Sequence, residues 1–178
     1  TTLFRSGKGR ERRTEIRNFD NISAVAVAAN NEKLYVNKEE SFICTSAGLK
    51  KEQNKDAYTF VSDCSDLDDI IVFRENGTFM VTKLQAKCFV GPEKLIHADV
   101  FHKNDDRTVY NMVYRSGKTG SPYYVKRFSV KGITHDKDYD LTMGEPGSKV
   151  VYFSANPNGE AEVIKVMLRP QPKLKKTS

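Results

Sequence analysis

Four similar β-hairpin patterns recur along the chain, and this repeat limits the possible folds more than any other feature. Two of the hairpins close over Asn76-Gly77 and Asn158-Gly159, where a positive φ suits a tight turn. Aligning the first strands brings four residues into register at spacings of 37, 41 and 39 residues, namely Val36, Phe73, Tyr114 and Phe153. Units of this length form propeller-like blades, because a small sheet buries its apolar face only against a neighbouring sheet. The sequence therefore predicts an all-β disc of about four blades with four-stranded antiparallel sheets.

The second strands of the four hairpins also align, and three of the four residues at one aligned position are basic. These residues are Thr45, Lys83, Arg127 and Lys165. Such a recurrence favours an outward-facing basic row over scattered charge.

Positive charge is concentrated in the middle of the chain. The protein has 29 Lys and Arg residues against 23 Asp and Glu residues, which gives a net charge of +6. Residues 81–135 hold 10 basic and 4 acidic residues, whereas residues 21–80 hold 6 and 10 and residues 136–169 hold 4 and 6. If the fold gathers the basic residues of 81–135 on one side, they form a face that binds polyanions. The alternative interpretation of this segment is an ordinary solvated surface.

Composition excludes several classes of protein. Hydrophobic residues make up 38% of the chain, which excludes wholesale disorder, and no run approaches the roughly 20 apolar residues of a membrane helix. No signal peptide is apparent, so we expect a soluble cytoplasmic protein with no membrane partner. Cys44, Cys64 and Cys88 are odd in number and form no CxxC pair. We therefore interpret them as small buried hydrophobic residues.

The sequence contains no recognisable catalytic or metal-binding pattern. His97, His102 and His135 are the only histidines, and none has the spacing of a metal set. The acidic run from Asp63 to Asp69 lacks the alternation and the glycine of a calcium loop, so a solvated turn is expected there. Neither a GxxxxGK phosphate loop nor a GxSxG nucleophile motif occurs. We predict no catalytic residue, no metal site and no cofactor in this chain.

Several strings together resemble the C-terminal region of the A subunit of bacterial type IIA topoisomerases, most closely topoisomerase IV of the Bacteroides group. They are RRTEI (12–16), NEKLYVN (31–37), CSDLDDIIVF (64–73), RTVYNMVYRSGKTG (107–120), YVKRF (124–128), YDLT (139–142) and YFSANPNGEAEV (152–163). The resemblance covers residues 12–174.

The resemblance implies a β-pinwheel, which is a propeller-like disc whose blades exchange strands and whose basic rim binds and bends duplex DNA. It also implies a non-catalytic domain, because the strand-cleaving tyrosine follows an arginine in the family and no tyrosine here does. That tyrosine belongs to the N-terminal core and the ATPase to the B subunit, so ATP and Mg²⁺ are expected only in the holoenzyme. The glycine- and arginine-rich box of gyrase has no match, which favours a decatenase.

We divide the chain into a leading segment or linker (1–19), a DNA-binding β-pinwheel, either complete or lacking a blade (20–169), and a basic tail (170–178) that leads toward a continuation. The expected DNA contacts are Lys83, Lys87, Arg115, Lys118, Lys126, Arg127, Lys131 and Lys149. Alternation assigns adjacent Lys126 and Arg127 to opposite faces of a strand, and the sequence leaves open which of them faces outward. A propeller that binds an acidic protein partner is the alternative function.

Overall fold

The structure is a computed structural model that describes residues 30–118 and 122–167. The leading segment, the basic tail and Thr119-Gly120-Ser121 lie outside the described residues. The elements in chain order are β1 Glu32–Asn37, β2 Phe42–Cys44, α1 Ser46–Lys50, a 3₁₀ turn Lys55–Ala57, β3 Thr59–Cys64, β4 Asp69–Arg74, β5 Thr78–Lys83, β6 Lys87–Phe89, β7 Leu95–Phe101, β8 Val109–Arg115, β9 Tyr123–Phe128, β10 Tyr139–Asp140 and β11 Lys149–Asn156.

The described strands form three antiparallel sheets. The first sheet has the order β3-β1-β2-β6, the second β7-β4-β5-β10 and the third β11-β8-β9. In each sheet a first strand (β1, β4 or β8) pairs with its hairpin partner on one side and with a later return strand (β3, β7 or β11) on the other. The all-β prediction is confirmed, and the arrangement is that of an incomplete pinwheel.

Strands are exchanged between neighbouring sheets, as the resemblance implied. β6 follows β5 in the chain but pairs with β2 of the first sheet, where Phe89 lies opposite Phe42. β10 follows β9 but pairs with β5 of the second sheet, where Tyr139 lies opposite Phe79. Each exchange therefore fastens one sheet to the hairpin of the sheet before it.

The second sheet lies between the other two, which explains the unbroken apolar run of β4. Ile70 and Val72 belong to a buried cluster shared with the first sheet, whereas Ile71 and Phe73 belong to one shared with the third. Alternate residues of a strand point to opposite faces, so a strand buried on both faces needs apolar residues throughout. Asn76-Gly77 forms the expected turn between β4 and β5, with Gly77 at φ +86°.

The prediction of a fourth first strand at Phe153 is wrong. Phe153 lies in β11, which pairs with β8 as the return strand of the third sheet. No strand follows Asn158-Gly159 among residues 159–167, so Lys165 lies outside the sheets. Thr45 caps the N-terminus of α1, and the proposed basic row of Thr45, Lys83, Arg127 and Lys165 is therefore not formed. The described part of the chain contains three sheets.

Candidate nucleic-acid interface

The basic residues of 81–135 lie on the surface of the fold. All ten except Arg115 are exposed, and Arg115 is half-buried. The structure thus presents the positive segment to solvent, although its members differ in what they contact.

Lys83 and Lys131 occupy equivalent places at the open ends of two hairpins. Lys83, at the end of β5, lies 3.0 Å from Asp69 at the start of β4. Lys131 follows β9 and lies 2.7 Å from Asp106, which precedes β8. The Lys131–Asp106 pair is exposed on both sides and is a surface ion pair worth about 0–1 kcal/mol, so a phosphate can displace Asp106 at little cost. Asp69 is only 18% exposed and also lies 2.9 Å from His135, so Lys83 is the more firmly held of the two lysines.

Lys87 lies on β6, the outer edge of the first sheet. Its ammonium group is 2.8 Å from Glu52 and 4.4 Å from the centre of the Phe42 ring. The hydrogen bond to Glu52 raises the pKa of Lys87. This side chain remains cationic and is held at the outer edge of the first sheet.

Lys149 repeats a contact that Lys94 makes one sheet earlier. Lys94 precedes β7 and pairs with Glu39 in the β1–β2 turn, and Lys149 at the start of β11 pairs with Glu75 in the β4–β5 turn at 2.8 Å. The backbone N–H of the residue after each lysine donates to a carbonyl oxygen of the same turn. Leu95 donates to Lys38 at 3.0 Å, and Val150 donates to Glu75 at 2.8 Å. The Lys149–Glu75 pair therefore lies at a junction between neighbouring sheets, as the Lys94–Glu39 pair does.

Lys126 and Arg127 lie on opposite faces of β9. Lys126 points toward the second sheet and donates to the carbonyl oxygen of Leu141 at 2.9 Å. Arg127 points away from it, and donates to Asn111 at 3.2 Å and to the carbonyl oxygen of Gly159 at 2.9 Å. The alternation leaves Lys126 on the outer edge between two sheets, whereas Arg127 holds the segment after β11 in place.

Arg115 ends β8 and Lys118 lies in the β8–β9 turn, at the other end of the sheets. Arg115 donates to the carbonyl oxygens of Gly117 at 3.0 Å and Gly147 at 3.3 Å. Lys118 is exposed and packs beside Gly147. The structure therefore divides the eight expected contacts between both ends of the sheets and the outer edge.

Sequence reasoning missed Arg74, the one buried cation among the described residues. It is 4% exposed and donates to the carbonyl oxygen of Val90 at 2.6 Å, to Asp138 at 2.7 Å and to Thr78 at 3.1 Å. Val90 directly follows β6, and Asp138 directly precedes β10. The guanidinium therefore connects both strand exchanges, and no local sequence signal indicates it.

Comparison with known proteins identifies the family of this fold. The sequence profile described as "Topoisomerase C-terminal domain, Bacteroidota" matches residues 33–178. The chain belongs to this topoisomerase C-terminal domain family. It is also 28% identical over 155 residues to the A subunit of DNA topoisomerase 4 from Borreliella burgdorferi. That alignment covers 87% of this chain and 23% of the relative, so the chain spans about a quarter of the relative's length. No solved structure matches.

The described part of this topoisomerase C-terminal domain contains no group of three or more metal-ligating side chains. Cys44 and Cys64 are buried as predicted, and burial raises the pKa of each thiol to about 11, whereas the prediction fails for Cys88, which is only half-buried. Burial also raises the pKa of Tyr110 to about 12 and lowers that of His97. No helix of the described residues is long and apolar enough to cross a membrane.

Proposed function

We propose that this chain is the non-catalytic DNA-binding and DNA-bending domain from the A subunit of a topoisomerase IV. It guides duplex DNA toward the gate at which the enzyme performs ATP-dependent strand passage and decatenation. Its protein partners are the B subunit and the N-terminal core of its own subunit, and the holoenzyme's ATP and Mg²⁺ act outside this chain. Its place is the cytoplasm, at the nucleoid.

The exposure of the positive segment carries this proposal. Nine of the ten basic residues between 81 and 135 are exposed on a fold whose family is that of topoisomerase C-terminal domains. Lysine and arginine on such a surface neutralise phosphates and release counterions, which gives affinity without base recognition. Bending a site of 20–30 base pairs costs on the order of 1–6 kcal/mol, and the phosphate contacts must offset that cost.

The contacts described above divide the candidates into two groups. Arg127 donates to three groups on neighbouring segments, and the Lys149 ion pair repeats the Lys94 contact between sheets, so we assign both to the fold. Lys126, Lys83, Lys87 and Lys131 also have partners, but they lie along the outer edges and open ends of the sheets, where a phosphate can compete with those partners. We assign the DNA path to these four lysines, with Lys118 and Arg115 at its far end.

Fluorescence anisotropy with a short linear duplex tests the assignment, measured as a salt titration. The logarithm of affinity should fall linearly with the logarithm of salt, with a slope of about −5 for six phosphate contacts, and should not depend on sequence. Lys126→Gln should make the slope shallower by about 0.9, which is about an eightfold loss of affinity at 0.1 M salt. Arg127→Gln is the matched control, because it removes one charge from the adjacent residue on the opposite face.

Equal losses in the two variants would contradict the assignment of the path to the outer edge. No binding of the wild type at low salt would contradict the DNA proposal itself. Retention of an acidic protein from nuclease-treated lysate would then favour the protein-interaction alternative. A change of sequence preference with unchanged affinity would refute phosphate contact by Lys126.

A further inference from the structure

A histidine shares the carboxylate that holds Lys83 at the open end of the second sheet. The Nε2 atom of His135 lies 2.9 Å from Oδ2 of Asp69, and the Nζ atom of Lys83 lies 3.0 Å from Oδ1 of the same carboxylate. The side chain of His135 is 42% exposed, whereas that of Asp69 is only 18% exposed. Two groups from different elements therefore compete for one carboxylate that has little contact with water.

The backbone fixes His135 at this place. The residue lies in the connection between β9 and β10, which passes from the third sheet to the second. The backbone N–H of Asp136 donates to the carbonyl oxygen of Val81 in β5 at 2.9 Å. A hydrogen bond that does not involve the imidazole therefore holds it beside the end of the β4–β5 hairpin.

Lys83 is held by charge rather than by a directed hydrogen bond. Oδ1 of Asp69 is buried, and no group among the described residues donates to it with the geometry of a hydrogen bond, although the Lys83 ammonium lies within ion-pair distance. An attraction of this kind depends on the charge that the carboxylate presents to the lysine. A cation at the other oxygen of Asp69 therefore loosens the hold on Lys83.

Protonation of His135 supplies such a cation. A histidine side chain changes from neutral to cationic as the pH falls from about 8 to about 5. With a neutral imidazole, the charges of Lys83 and Asp69 cancel, whereas with a cationic imidazole the carboxylate faces two cations. The cationic form therefore leaves one positive charge available for a phosphate at this end of the sheet.

Few other charged groups face the imidazole in the part of the chain that the structure describes. β7 places an apolar residue, Phe101, opposite Asp69. Asp136 and Lys137 follow the imidazole in the connection and carry opposite charges. Burial, with a contribution from Asp136, raises the pKa of the Cys88 thiol on β6, so this group stays neutral. The carboxylate and the lysine are therefore the groups that respond to the charge of the imidazole.

We propose that His135 is a positioning residue for the DNA path, whose cationic form compensates the charge of Asp69 and releases Lys83 to a phosphate of the duplex. Binding of the duplex therefore tightens as the pH falls through the range in which the imidazole gains its proton, because a bound phosphate favours the cationic form. This inference rests on the duplex binding proposed above and assigns a regulating residue to one of its contacts.

Fluorescence anisotropy with a short linear duplex, measured at about pH 8 and about pH 6, tests this role. At about 0.1 M salt the wild type should bind up to about eightfold more tightly at the lower pH, with a salt slope steeper by up to about 0.9. His135→Gln should lose this gain, since glutamine can donate to Asp69 but takes no charge. His102→Gln is the matched control, because His102 is exposed directly after β7, and it should keep the gain.

Two variants of the partners separate action through Lys83 from direct contact by the imidazole. Lys83→Gln should abolish the gain, because no lysine is then released. Asp69→Asn should bind at the higher pH about as tightly as the wild type does at the lower pH, with little further gain. Circular dichroism at both pH values establishes that each variant is folded.

A gain that survives in His135→Gln would overturn the proposal. A gain that survives in Lys83→Gln would overturn it as well, since the imidazole would then contact the phosphate itself. Equal affinity of the wild type at both pH values would refute the role of His135 and leave the duplex binding intact. No binding at either pH would instead contradict the DNA proposal on which this inference rests.

Discussion

Replacement of Arg74 by methionine should destabilise the fold far more than any loss of an exposed lysine. The side chain is 4% exposed, and its guanidinium donates to Val90, Asp138 and Thr78. Hydrogen bonds of a charged group contribute about 1.5–3 kcal/mol each when buried, and methionine leaves the Val90 carbonyl without its partner. Asp138 is 64% exposed, so water replaces the guanidinium there and this contact counts for little.

The expected loss for Arg74→Met is about 2–4 kcal/mol of the free energy of unfolding, because methionine retains the apolar stem. For a chain of this size the loss corresponds to a decrease of about 5–15 °C in Tm. Urea unfolding followed by circular dichroism measures it. Lys131→Met is the matched control, since Lys131 is 62% exposed and its removal should cost less than about 0.5 kcal/mol. Equal midpoints for the two variants would refute the role of Arg74 at the strand exchanges.

Two further outcomes follow from named contacts. Asp106→Asn should free Lys131 and tighten binding of the duplex by up to about fivefold, since the ion pair that competes with phosphate is worth at most about 1 kcal/mol; unchanged anisotropy would place Lys131 away from the DNA. Burial lowers the pKa of His97 from 6.5, so below that pH the unfolded state binds more protons and stability should fall as the pH decreases. Asp99 opposes this shift and Lys38 adds to it, and urea midpoints at several pH values should flatten in His97→Phe.

The sequence predicts the class of fold because the decisive signals are local. Runs such as Ile70 to Phe73 are short, apolar and rich in β-branched residues, which favours a strand, and Asn76-Gly77 favours a tight turn after it. The alignment of Val36, Phe73 and Tyr114 as first strands is confirmed by β1, β4 and β8. The prediction for Phe153 failed because a return strand resembles a first strand in length and alternation. Only the strand with which it pairs distinguishes the two, and a local sequence pattern does not determine pairing.

The resemblance implied strand exchange, but the positions of the exchanged strands could not be predicted from the sequence, for a related reason. β6 has three residues and β10 has two, which is too short to show a periodicity. Neither the outward face of each lysine nor its partner could be predicted from the sequence. Glu52 is 35 residues from Lys87, and Asp138 is 64 residues from Arg74. Contacts of that separation depend on the exchange itself.

The same exchange connects the candidate interface to the stability of the fold. β6 follows the second hairpin in the chain but is hydrogen-bonded to the first sheet. The two sheets therefore cannot separate unless the pairing between β6 and β2 breaks. Lys87 lies on that strand, and Arg74 fastens the end of the same segment through Val90. A duplex that contacts Lys87 would therefore bind to a strand that connects two sheets. Because each junction is held in this way, the spacing of the outer lysines is set by the junctions between sheets rather than by the flexibility of the loops.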